Sequence, residues 1–169
     1  MIAKHPASLI LKVVLFLCVA TSAFAQAADD KACSLLTSAE IQAATGLKVS
    51  SWKALPQTAQ TDAALCNGDA GTATVLLRTA TRTGASDRES KGIAIAKQMG
   101  AQVDVKTFGP VTCSSVIPPK SLEQYGFNTT CSVQKGSRIA AIEVTAKARN
   151  DMVSIDKLRP LAEKMTSRF

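Results

Sequence analysis

The sequence is short of the residues on which much protein chemistry depends. Its 169 residues include one histidine, one tryptophan and one tyrosine, and aromatic residues make up only 4% of the chain. The histidine is His5, inside a segment with the form of a cleaved export signal. Lys4 and Lys12 give that segment a positive start, Val13 to Ala20 an apolar centre, and Ala23-Phe24-Ala25 an A-x-A cleavage site. A chain cut before Gln26, or as second choice after Ala27, has no histidine. That excludes Ser-His-Asp and Cys-His catalysis and histidine-ligated metal. The apolar centre is shorter than the roughly 20 residues that span a bilayer, and no later run is longer. Close Cys-x-x-Cys spacing is also missing, and Gly68 and Gly71 lack the strand–loop–helix context and the lysine of a phosphate loop. No cofactor and no metal site is expected.

Export sets the expected organisation: residues 1–25 a cleaved signal peptide, 26–32 a flexible leader, and 33–169 one α+β domain. The expected location is periplasmic or secreted. Cys18 follows Leu15-Phe16-Leu17, which lack the small residues of lipoprotein processing, so it is read as discarded with the signal. Four cysteines then remain, Cys33, Cys66, Cys113 and Cys131. In an exported domain they read as two disulfides. Of the three pairings, Cys33–Cys66 with Cys113–Cys131 is preferred, because each bridge closes a moderate loop.

The whole chain carries a formal charge of +7, and the basic excess lies late. Residues 131–169 hold eight basic side chains against four acidic, whereas 26–130 hold ten against nine. Lys135, Arg138, Lys147, Arg149, Lys157 and Arg159 are therefore the candidate partner-binding set, suited to an acidic protein or an anionic envelope component. Five mature aromatics and scattered lysines lack the basic–aromatic interleaving of a nucleic-acid surface.

Local signals place the elements. Thr37 and Glu40 form a capping box, Leu36 and Ile41 can close a hydrophobic staple, and Gly46 ends the helix between them. Leu47 to Trp52 alternates as a strand, with Trp52 as a packing residue. Lys53 to Ala64 reads as a loop, and Cys66-Asn67-Gly68-Asp69-Ala70-Gly71 as a turn. Thr72 to Thr81 is a central strand with Ala73, Val75 and Leu77 on one side. Ser86-Asp87-Arg88-Glu89 is read as a second capping box, starting a helix that runs to about Met99 with Ile93, Ala96 and Met99 buried. Gln102 to Phe108 is a half-buried strand, and Val111 to Ile117 a short one ended by Pro118-Pro119. Phe127 to Val133 and Arg138 to Lys147 form a hairpin. A last helix carries Leu158, Leu161, Ala162, Met165 and Phe169 at helical spacing. Pro160 asks that helix to start near Asp156 or Lys157, or to kink if it starts at Ser154. The order predicts an α+β fold: a mostly antiparallel sheet of about five or six strands, three helices packed on it, and two disulfides.

The stretch Cys33-Ser34-Leu35-Leu36-Thr37-Ser38-Ala39-Glu40-Ile41 to Gly46, as C-x-L-L-T-x-x-E-I-x-x-x-x-G, resembles the opening of small exported cell-envelope domains of unknown function, many of them lipoproteins. The resemblance covers residues 33 to 46. It implies an α+β exported module whose cysteines pair off, and it carries no catalytic residue; the lipidation cysteine of the lipoprotein members is missing here.

Serine–lysine and paired-carboxylate chemistry survive the loss of histidine. Ser90 beside Lys91 has no distinctive spacing, Asp29-Asp30 adjoin only in the leader, and Asp87 and Glu89 are accounted for by capping. The sequence thus points away from an enzyme. It points to a binding module, of inhibitor or immunity type, working through a basic face. The alternatives are a structural or self-associating envelope protein, or a binder of a small ligand or the cell wall.

Overall fold

The computed structural model describes residues 31–56 and 63–169, and the backbone alone of 82–89. The signal segment, the leader up to residue 30 and the polar stretch 57–62 lie outside the described residues. Seven strands form one antiparallel sheet: β1 (Ser51–Leu55), β2 (Ala64–Asp69), β3 (Ala73–Thr81), β4 (Gln102–Phe108), β5 (Val111–Ile117), β6 (Phe127–Lys135) and β7 (Arg138–Ala146). Their order across the sheet is β1-β2-β3-β7-β6-β5-β4. The described α-helices are α1 (Ser38–Thr45), α2 (Arg82–Gln98) and α3 (Ile155–Met165), and 3-10 segments cover Lys120–Tyr125 and Arg149–Asp151. The fold is α+β, with seven strands where five or six were expected, and with helical residues 31–33 and the two 3-10 segments in addition to the three helices expected.

The additional strand is β2, and it occupies the stretch read as a turn. Asn67 and Gly68 lie inside the strand, paired with Leu76 and Val75 of β3. Gly68 serves packing: a Cβ there would lie 2.8 Å from Trp52 Cζ3 and from Val49 Cγ1. The turn comes later, where Gly71 takes φ 73° and its N–H donates to Asp69 Oδ1 at 2.9 Å. β1 starts at Ser51, so the expected strand at Leu47 and the expected loop at Lys53 are both displaced.

Alternation along the strands gives the sheet one closed face. Across its centre run Ala54, Cys66, Leu77, Ile142, Cys131 and Cys113, each opposite the next. Val75, Leu77, Ile142 and Val144 are fully buried there. α3 packs on this face and α1 packs on α3. Its stripe Ile155, Leu158, Leu161, Ala162 and Met165 is buried as helical spacing requires. α3 begins at Ile155 and passes through Pro160 within the helix. Thr129 Oγ1 donates to Val153 O at 2.6 Å, fixing the entry into α3.

The capping box of α1 is formed. Thr37 N donates to Glu40 Oε2 at 2.9 Å and Glu40 N to Thr37 Oγ1 at 3.3 Å, and Gly46 ends the helix at φ 82°. Leu35, Leu36 and Ile41 are in the core. So is Ala32, which places the end of the supposed leader inside the domain. Disulfides join Cys33 to Cys66 and Cys113 to Cys131. The first ties the chain before α1 to β2, and the second bridges facing residues of β5 and β6.

α2 departs most from expectation. It starts at Arg82, directly after β3, so Ser86 is inside the helix and not its cap. Met99, expected in the buried stripe, is 52% exposed. β4, expected to be half buried, is an edge strand exposed over most of its length.

Candidate functional site

The face of the sheet turned away from α1 and α3 carries mixed polar and apolar side chains in rows, with short polar ones over β5 and β6. One row runs Lys53, Asn67, Leu76, Glu143, Thr130, Ser114 and Val105. The next runs Leu55, Leu65, Arg78, Ala141, Ser132, Thr112 and Thr107. A cross-strand network holds the middle of this face. Asn128 Nδ2 donates to Glu143 Oε1 at 2.7 Å and to Thr145 Oγ1 at 3.2 Å, and Thr130 Oγ1 donates to Asn128 Oδ1 at 2.9 Å. Glu143 thus has neutral partners that fix its position without neutralising its charge. Asn128, read as an ordinary strand residue, is the centre of the network.

α2 covers part of this face. β3 ends and β4 begins at opposite ends of the sheet, so α2 must carry the chain across between them. It stands off enough to leave a cleft of about 270 Å³, lined by Ser90 and Ile93 from the helix and by Val105, Thr112, Ser132 and Ile139 among others from the sheet. This is near the lower end of the volumes of small-molecule sites, about 300 Å³, and also leaves room for an inserted side chain. Apolar side chains are also exposed elsewhere: Ile95 (54% exposed) lies about 200° round α2 from the cleft-lining Ile93, Met99 caps the end of that helix one turn on from Ile95, and Val105 on β4 is 43% exposed. With Tyr125, these are the large exposed apolar side chains among the described residues.

The six basic residues proposed from sequence do not come together as one face. Lys135 and Arg138 stand at the β6–β7 turn, while Lys147 and Arg149 follow the far end of β7. The length of β7, Arg138–Ala146, lies between the two groups, roughly 27 Å over its eight steps at 3.4 Å each. Most of the charges have internal work. Lys135 Nζ donates to Phe169 O at 3.2 Å, and Arg138 lies 5.8 Å from the Phe169 ring centre. Lys147 Nζ donates to Gly71 O at 2.6 Å. Arg159 stacks 4.7 Å from the Phe108 ring centre and pairs with Glu163 at 3.0 Å. Arg149 and Lys157 are exposed, with no ion pair among the described residues.

The serine–lysine pair is not assembled. Ser90 lines the cleft, but Lys91 follows it on the helix, about 100° further round. Among the described residues no three histidine, cysteine or carboxylate side chains gather as a metal site, and no helix is long and apolar enough to cross a membrane. Among the described residues, one ion-pair cluster joins α1 to the residues at and after the end of α3. Glu40 is held by Arg168, Lys164 and the Thr37 N–H, and these keep its carboxyl well below the usual glutamate range. No protein-family model matches the chain, and no curated protein matches it.

The exposed stripe on α2 was concealed by its own composition. Ile93, Ile95, Ala96 and Met99 give a helix apolar on more than one side, and nothing in the spacing says which side the sheet takes.

Proposed function

We propose that the protein is an exported binding module without catalytic activity, which holds a protein partner along α2 and the cleft beneath it. An inhibitor or immunity-type role is the form this reading takes. The observation that carries it is the placement of Ile95, Met99 and Val105, three large apolar side chains about half exposed on α2 and on the strand it packs against. Large apolar side chains left exposed on one helix and on the neighbouring strand suit a protein contact. Arg149 and Lys157, exposed and without an ion pair among the described residues, favour a second reading in which an anionic envelope component is bound.

The test is capture from envelope extract by the immobilised protein with its disulfides formed, through a rising salt series. The expected result is one stoichiometric protein retained at high salt, and lost when Ile95 and Met99 are both changed to Asp. Retention by the double variant, or no protein partner, rejects the α2 surface. Capture that salt abolishes, and that Arg149→Glu with Lys157→Glu removes, supports the second reading.

A further inference from the structure

The sheet has two edges, β1 and β4, and they are guarded differently. An unpaired edge is a template for another strand, and proteins block it with charge, proline or brevity. β1 has all three: it is five residues long, is followed by Pro56, and carries Lys53 at its centre. Two copies of β1 paired about their midpoints would set Lys53 against Lys53. β4 is seven residues long and has neither glycine nor proline. Gln102, Asp104, Val105, Lys106 and Thr107 are all exposed along it.

The charges of β4 are opposite in sign and two residues apart, so they share one face, with Val103, Val105 and Thr107 on the other. We propose that β4 pairs antiparallel with β4 of a second copy of this chain, about a two-fold axis at Val105. This inference does not rest on the α2 surface described above. In that register Asp104 stands opposite Lys106 of the second copy, and Lys106 opposite its Asp104. On the other face Val105 meets Val105 and Val103 meets Thr107. Moving the axis by one residue either way sets Asp104 against Asp104 or Lys106 against Lys106, so charge selects a single register.

Within one chain Asp104 and Lys106 already meet at 3.5 Å, with side chains 57% and 49% exposed. Such a surface pair contributes little. Its members stand two residues apart, roughly 6.8 Å along the strand, whereas directly opposed side chains start about 5 Å apart. Dimerisation therefore gives each charge a second, directly opposed partner. It also covers Val105 and joins two seven-stranded sheets into one of fourteen. Because the axis is perpendicular to the sheet, the two α2 helices stay on the same side of the joined sheet. An interface of one strand pair is small, so the dimer is weak and concentration-dependent.

Sedimentation equilibrium on the disulfide-bonded protein, from about 1 µM to about 1 mM, tests this over the range a weak pair demands. A monomer–dimer equilibrium is expected. Asp104→Lys alone and Lys106→Asp alone each place like charges opposite each other, and each weakens association roughly tenfold or more. The double variant D104K/K106D restores it. The two single variants, mixed one to one, form a heterodimer tighter than either homodimer. A wild type monomeric throughout overturns the proposal, and so does a dimer indifferent to the single reversals or not recovered in the double variant. The mixing arm uses each variant as it folds, checked by circular dichroism.

Discussion

Arg168 Nη1 and Nη2 donate to Glu40 Oε2 and Oε1, each at 2.8 Å, across 128 residues of sequence. Glu40 is also the third residue of α1 and the acceptor for the Thr37 N–H, and Arg168 Nη1 reaches on to Leu35 O at 2.9 Å. One carboxylate thus caps the first helix and anchors the end of the chain. A capping box explains why a glutamate stands at this position, but not the second task, which depends on where α3 ends.

This pairing sets an acid sensitivity. Arg168, then Lys164, then the Thr37 N–H favour the charged form of Glu40 and hold its folded pKa well below the ordinary 4.5. With the folded value depressed, the unfolded chain binds the proton first as pH falls. The contribution is complete above pH 4.5 and is lost progressively on acidification below it. Urea unfolding at pH 7 and pH 3 should show stability falling in the wild type, and falling less between the same two values in Glu40→Gln. An equal pH dependence in both would show that other groups carry the acid response.

The close approach at Gly68 makes a second prediction. Alanine there would put its Cβ 2.8 Å from the Trp52 ring and from Val49. Trp52 is also held by the bond from Nε1 to Ser38 Oγ at 2.8 Å, so it cannot yield freely. Gly68→Ala should cost about 1–3 kcal/mol, the range for overpacking. It should cost less in a Trp52→Leu background, a coupling that a double-mutant cycle measures. Fluorescence of the sole tryptophan should shift to the red in Gly68→Ala as the ring is displaced.

Much of the fold was legible in the sequence because local and long-range demands agree there. Thr37, Glu40 and Gly46 specify α1 by capping alone, and Val75, Leu77, Ile142 and Val144 alternate as a closed face requires. The reading failed where a residue answers to a distant partner. Asn67-Gly68 has the chemistry of a turn, but Gly68 is small because the Trp52 ring lies over it. Ser86 to Glu89 has the chemistry of a cap, but β3 runs straight into α2 at Thr81 and Arg82. The basic residues were grouped by sequence distance, and a strand of nine residues sets them at opposite ends of the sheet. Edge and centre are not distinguished by alternation, so β4 gave no sign that it is an edge strand exposed over most of its length.

The two disulfides close loops with sequence separations of 33 and 18. Loop entropy assigns them similar values, about 3 to 4 kcal/mol each. Their surroundings differ. Cys113 and Cys131 are already opposed in the β5–β6 ladder, while Cys33 ties a segment before α1 to β2. Cys33→Ala/Cys66→Ala should therefore cost more than Cys113→Ala/Cys131→Ala, since only the first loss frees Ala32, Leu35 and Leu36 to leave the core. Urea midpoints of the two double variants measure this, and equal losses would mean that loop entropy alone governs both bridges.

Stability separates a contact surface from a core. Ile142 is fully buried at the centre of the sheet, and Ile142→Ala should cost about 2–5 kcal/mol through lost burial and the cavity left behind. Ile95 and Met99 are about half exposed on a helix whose described side chains are mostly exposed. Their replacement by serine should change stability by no more than about 0.5 kcal/mol each, as at surface positions. Urea unfolding of the three variants under one condition makes the comparison. A loss near that of Ile142→Ala at either α2 position would show that the stripe is turned inward in solution, and would remove the apolar surface from which partner binding is argued.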